Sequence, residues 1–269
     1  MLLATDGIWG ALMNLNPWWA GYCSVLVNVN DIAAMGGLPV GMTNVLSSSN
    51  PDTVDEIMDG IKEGVKKFGV PMVGGHTHPD TPYDALDVAI SGIVDKDSVI
   101  PSSNAQAGDD VIIAIDLDGS IYPGTEINWD STSDKSPKYV QYQIKVMNTI
   151  GKKHLVHAAK DISNPGAVGT LGMLLEASEM GAAIDLDMIP KPDDVDWISW
   201  LKMYPGSAFV MTLDPENTDE TISMLEKTHI NAACVGSVTE EPKLTLQHEN
   251  EKKTVFDFSS DIIMGFSGK

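Results

Sequence analysis

The chain has 269 residues and a formal net charge of −21, and all 17 of its basic residues are lysine. Such an acidic chain is a poor partner for nucleic acid, whose phosphates bind basic surfaces, and no apolar run reaches the ~18 residues of a membrane span. Without arginine there is no bidentate clamp for a phosphate. An anionic ligand would have to be met by divalent metal, backbone N–H groups or a lysine.

The opening Met1–Gly7 lacks the basic and apolar regions of a secretory signal. Leu2–Thr5 reads as a short strand closed by the turn dipeptide Asp6-Gly7. A strand starting this early implies a sheet edge or an absent upstream segment. Residues 10–21 read as an aromatic loop, with Trp18 and Trp19 beside Pro17. From Ser24 onward Val25, Leu26, Val29, Ile32 and Ala33 recur at helical spacing, so a buried helix is expected, stopped by Gly36, Gly37 and Pro39. Ser24, Asn28 and Asp31 fall on one arc of it. A buried carboxylate must be paired or hold a metal. Asp31 is therefore either a satisfied core aspartate or part of a metal or phosphate site.

A strand is expected over 40–46, then a helix opened by the cap Asn50-Pro51 and closed at Gly69. A short strand over 70–73 runs into the loop Gly74-Gly-His-Thr-His-Pro-Asp80, and an alternating strand spans 86–94. Residues 95–109 are polar and turn-rich, which predicts a boundary between domains 1–104 and 105–269. The second half predicts a strand over 111–115 and a polar loop over 117–137, long enough to be functional or mobile. It also predicts helices over 139–150, from Gly166 to a stop at Gly181, and over 217–227. Further strands are expected over 208–213, 232–238 and 243–247. Cys23 and Cys234, with no C-x-x-C, fit a reducing cytoplasm.

Four polar clusters lie where strands or loops meet helices or turns: Thr5-Asp6-Gly7, Asn28–Asp31, Gly74–Thr77 and Asp161–Gly166. The last precedes a helix N-terminus, where free N–H groups attract anions. Ser163 or Asn164 could instead cap that helix without any ligand. His76-x-His78-x-Asp80 fits the H-x-H-x-D pattern of dinuclear zinc hydrolases of the metallo-β-lactamase type, whose ligands suit zinc, but Thr81 breaks the continuation of that pattern.

Taken in order, Asp6-Gly7, Asn28–Pro39 (N-V-N-D-I-A-A-M-G-G-L-P), Val70–Thr77 (V-P-M-V-G-G-H-T) and Asp161–Leu171 (D-I-S-N-P-G-A-V-G-T-L) resemble one superfamily. Its members are aminoimidazole ribonucleotide (AIR) synthetase, selenophosphate synthetase, thiamine monophosphate kinase and the carbamoyl-dehydrating hydrogenase maturation protein. The resemblance runs from residue 2 to about 240. It implies an α+β fold of two domains: a ferredoxin-like N-terminal domain that closes a β-barrel with a second copy, and an α/β C-terminal domain. It implies a homodimer that binds ATP and Mg2+ and phosphorylates or activates a small-molecule substrate in the cytoplasm. Asp6, Asp31 and Asp161 would hold the magnesium, with Asp31 and Asp161 as catalytic candidates, and Asn28, Asn30, Gly74, Gly75, His76 and Thr77 would line the nucleotide. The family's Gly-rich front loop precedes the Asp6 strand and has no counterpart here, which leaves a non-catalytic nucleotide-binding or assembly homologue as the alternative. Asn164-Pro165-Gly166 matches the named enzymes poorly and points to an archaeal-type group that includes the methanogenesis-marker proteins.

Overall fold

The computed structural model describes residues 1–265. Its first half forms a four-stranded sheet in the order β1-β4-β2-β3, from β1 (Leu2–Ile8), β2 (Leu38–Ser47), β3 (Met72–His78) and β4 (Ala85–Ile93). β1 is an edge strand of this sheet. Strand alternation sends Met42, Leu46, Leu86, Val88 and Ile90 to a buried face. By register Leu3, Thr5, Thr43, Val45, Ala89 and Ser91 occupy the other face, where Leu3 and Val45 stay exposed.

The buried face is covered by α2 (Pro17–Ala34) and α3 (Pro51–Phe68). The expected aromatic loop over 10–21 is instead helical: α1 (Gly10–Leu15) leads directly into α2. The reason is local. The Asn16 side chain accepts the Trp19 N–H and Pro17 fills the first helical position, the same device that starts α3 at Asn50-Pro51. α2 is buried on almost every side, with Val27 and Asp31 the partly open positions between Trp19 and Ala34. It is apolar all round because it lies between the first sheet and the second half of the chain.

The second half is a seven-stranded mixed sheet in the order β13-β12-β9-β11-β5-β10-β8. Its strands are β5 (Asp110–Ile115), β8 (Ala158–Asp161), β9 (Gly181–Asp185), β10 (Ala208–Leu213), β11 (Asn231–Thr239), β12 (Lys243–His248) and β13 (Glu251–Asp257). Both faces are covered, which is why β5 reads as an unbroken apolar run. Ile112 and Ala114 join one core with α2, α4 (Pro137–Lys152) and α7 (Thr218–Glu226). Val111, Ile113 and Ile115 join a second core with α5 (Gly166–Ser178). The polar stretch 117–137 holds a small hairpin, β6 (Ser120–Ile121) with β7 (Trp129–Asp130), and a one-turn α6 spans Trp197–Trp200. α5 stops before Gly181: Glu179 takes the left-handed position with φ 57°.

Helices α2 and α3 touch backbone to backbone. A Cβ at Gly60 would lie 1.9 Å from the Trp18 carbonyl oxygen. Glycine within a helix costs about 1 kcal/mol relative to alanine, and here close approach requires it. We predict that Gly60→Ala lowers stability by about 2 kcal/mol or more through forced helix separation. Urea denaturation checks this, and the intrinsic helix-propensity effect has the opposite sign.

Candidate functional site

β1, α2 and β8 deliver one aspartate each to the seam between the two sheets. Asp6 follows Leu2 and Ala4 on the helix-facing side of β1. Asp31 lies in the last turn of α2. Asp161 ends β8, the edge strand of the large sheet that packs against α2. The Asp31 and Asp161 carboxyls interact directly, and both feel the ammonium of Lys160, whose Nζ lies 3.9 Å from Asp161.

This crowding has a clear electrostatic result. The Asp31 carboxyl is pushed up to about 8, by burial first and then by the negative charge of Asp161, with Lys160 opposing and Asp6 adding. Its place among the C-terminal carbonyls of α2 acts in the same direction. Asp161 is raised, chiefly by burial. Asp6, although open to solvent, is raised by desolvation and by Asp161, against a backbone N–H from Gly7. The donors are hard oxygens, the set that suits Mg2+. Among the described residues no three His, Cys, Asp or Glu side chains form a ready-made metal group. The aspartates are thus not a closed cage. They suit a cation that keeps water or phosphate oxygens in its shell beside protein carboxylates, as Mg2+ does.

Asp6 also opens onto a cleft of about 260 Å³, bounded by Ser163, Asn164 and Pro165 on the far side. Neither Ser163 nor Asn164 caps α5. Pro165 occupies the cap position and no side chain bonds to the first turn. Instead the Ser163 N–H donates to Thr170 Oγ1 at 3.2 Å. Gly166 has φ 67°, and a Cβ there would meet the Leu201 carbonyl oxygen at 2.0 Å. The turn therefore admits only glycine, and with no side-chain cap on α5 its first-turn N–H groups are of the kind that favours an anion.

Other predicted residues lie elsewhere. Asn28 is buried and donates to the Ser24 carbonyl at 2.9 Å. Asn30 is buried and donates to the Gly206 carbonyl at 2.7 Å, joining α2 to the second domain. The Oδ1 of each has no partner among the described residues, but neither residue lines the cleft. Gly74, Gly75, His76 and Thr77 belong to β3 rather than to a loop. β3 is the edge opposite β1, on the order of 14 Å across three strand spacings, so one copy of the chain does not bring them to the aspartates. The close approach at Gly75 is to Asn44, 2.2 Å from a would-be Cβ, not to a ligand. The His76 and His78 rings meet edge to face at 4.4 Å. Since no three-residue metal group exists among the described residues, His76-x-His78-x-Asp80 does not close into a zinc site. Sequence reading missed Lys160, the counter-charge one position from Asp161, because nothing in Ala-Ala-Lys-Asp marks the short strand that carries it.

Residues 1–94 match the family model "AIR synthase related protein, N-terminal domain", and residues 106–249 match the model of its C-terminal domain. The chain belongs to the AIR synthase-related family. It is 52% identical over 248 residues to an uncharacterized protein of Methanocaldococcus jannaschii, covering 92% of this chain and 76% of that protein. It is 34% identical over 268 residues to an uncharacterized protein of Synechocystis, covering 100% of this chain and 83% of that one. Thiamine-monophosphate kinase of Buchnera aphidicola is 27% identical over 265 residues, 91% of this chain and 80% of the kinase. In fold, Thermotoga maritima PurL complexed with ATP superposes with a TM-score of 0.80 at 20% identity, over 99% of this chain and 46% of PurL. The hydrogenase maturation protein HypE superposes with a TM-score of 0.75 at 14% identity, over 97% and 90% of the two chains. The chain thus spans less than half the length of PurL, and these structural likenesses establish the mixed α/β two-domain fold alone. Among the described residues no helix is long and apolar enough to cross a membrane.

The raised Asp31 gives a signed pH dependence. The folded chain keeps a proton on Asp31 that the unfolded chain has lost, so this contribution to stability is full below the ordinary aspartate range and disappears as pH rises to about 8. The melting temperature of the metal-free protein is predicted to fall across that window, and Asp31→Asn is predicted to flatten the fall. Thermal melts in matched buffers measure both.

Proposed function

We propose that the chain is an ATP- and Mg2+-dependent phosphoryl-transfer enzyme, a kinase or synthetase acting on a small-molecule substrate. The observation that carries this reading is the meeting of Asp6, Asp31 and Asp161 beside the uncapped N-terminus of α5. One side of the seam calls for cations and the other for anions. A metal-bound phosphate satisfies both. The kinase among the relatives and the ATP complexes of PurL support the same reading.

In this proposal Asp31 and Asp161 give up their excess proton and bind the cation together with Asp6. Bound magnesium supplies neutralisation of phosphate charge. The α5 N–H groups hold phosphate oxygens, and Lys160 offsets the remaining carboxylate charge. Phosphoryl transfer asks mainly for positioning and charge neutralisation. The acceptor oxygen bonds to the γ-phosphorus as the bond to the departing ADP breaks, and the acceptor proton leaves to a carboxylate or water. The domains are proposed at 1–104 and 105–269, around the turn-rich 95–109 segment. The relatives in both an archaeon and a cyanobacterium support a branch that is not confined to archaea.

The exposed face of the first sheet, with Leu3 74% and Val45 42% accessible, is proposed to close the ferredoxin-like domain into a barrel with a second copy. That closure is also the proposed route by which Gly74–Thr77 reach a nucleotide. An exposed apolar face of this kind marks an interaction surface.

Two outcomes test the proposal. Asp161→Asn and Asp31→Asn should each weaken Mg2+-dependent ATP binding at least about tenfold, since each removes a charged ligand, with the far-UV spectrum unchanged. Calorimetric titration measures this, and unaltered affinity in both variants would refute the site. Sedimentation should find a dimer that Leu3→Lys combined with Val45→Lys converts to monomer. A monomeric wild-type chain that binds ATP tightly would refute the shared barrel.

A further inference from the structure

Beside the aspartate cleft lies a second cavity, of about 410 Å³. Trp9, Leu12 and Tyr204 line both spaces, so the two adjoin at these three side chains. The second cavity is walled by Leu12 and Leu15 of α1 on one side and by Glu126 and Ile127 of the 117–137 segment on the other. This is the long polar stretch whose length reads as functional or mobile.

Its far wall is firmly held. Tyr122 stacks on Trp19 with ring centroids 4.0 Å apart. Trp19 Nε1 donates to Asn128 Oδ1 at 3.1 Å, and Asn128 Nδ2 donates to the Tyr204 carbonyl at 3.3 Å. The near wall ends in Trp9, which is 65% exposed and stacks on no ring among the described residues. A free indole beside apolar walls favours a flat ring, which stacks at low entropic cost. Glu126 is the one charged side chain lining the cavity, and it forms no ion pair among the described residues. A ring that carries negative charge is disfavoured there. A cationic ring gains from both Glu126 and the indole face.

We infer that this cavity holds the ring of the phosphoryl acceptor: a flat heteroaromatic group, cationic or neutral, whose accepting oxygen reaches past Trp9 and Tyr204 to the aspartate cleft. The inference rests on the phosphoryl-transfer reading for the acceptor's role. The ring site itself rests on the cavity.

A matched series of probes tests it, with one ring and three charges: 1-methylnicotinamide, nicotinamide and nicotinate. Ligand-observed NMR on the full chain should rank them cation, neutral, anion, with about a tenfold spread in affinity from one charge contact and one indole contact. Glu126→Gln should compress the spread to about twofold. Ala11→Trp, at an exposed position lining only the second cavity, should fill it and abolish binding of all three while leaving Mg·ATP affinity unchanged. Absence of binding by the wild-type chain, equal affinity across the series, or binding that survives Ala11→Trp would overturn the ring site. If the series behaves as stated but Mg·ATP does not bind, the phosphoryl-transfer reading fails and with it the acceptor's role, while the ring site stands.

Discussion

Two carboxyl groups, one from each domain, are held together where water is scarce. Asp31 and Asp161 cannot both be ionised there without help, because burial and mutual repulsion act in the same direction. Lys160 supplies one nearby positive charge, and three carboxylates outnumber it. The seam therefore keeps a proton or accepts a cation. Much of the surrounding structure serves to maintain this contact. α2 is packed against α3 without side chains between them at Gly60. Asn30 ties α2 to Gly206, and the Asn148 side chain of α4 donates to the Gly36 carbonyl just beyond the end of α2. The domains cannot separate at this seam without breaking buried hydrogen bonds.

The cleft next to it has opposite polarity at its two ends. The Asp6 carboxylate lines it on one side, and Ser163, Asn164 and Pro165, which lead into the uncapped α5, line it on the other. A chain without arginine would meet phosphate with backbone N–H groups, metal or lysine in place of guanidinium groups. The net charge of −21 makes a bare polyphosphate an unfavourable visitor and a metal-complexed one acceptable.

The convergence of Asp6, Asp31 and Asp161 was legible because each sits in a short motif at the end of an element, and the motifs come in a recognisable order. The buried character of α2 was legible from its spacing, although its first two turns were not. Trp18 and Trp19 look like loop aromatics until Asn16-Pro17 is read as a helix start, and the stacking of Trp19 on Tyr122 depends on a residue about a hundred positions away. Gly74–Thr77 misled for a related reason. A Gly-Gly pair suggests a turn, but parallel pairing with Thr43–Leu46 draws the segment into a strand on the edge opposite β1. Asn28 and Asn30 carry the motif, yet their Nδ2 groups donate to backbone carbonyls and neither side chain lines the cleft. The strand Ala158–Asp161 has two small residues and no β-branched one, so only its pairing with β10 reveals it. The paired histidines show the limit of spacing alone: among the described residues no third His, Cys, Asp or Glu completes a metal group with them.

The most direct test of the central claim is the proton count on binding of Mg·ATP. Calorimetry at neutral pH in buffers of different ionisation enthalpy measures it. The account predicts release of close to one proton by the wild-type chain, because Asp31 at about 8 is largely protonated before the cation arrives, and almost none by Asp31→Asn. Tight binding with no proton release would contradict it.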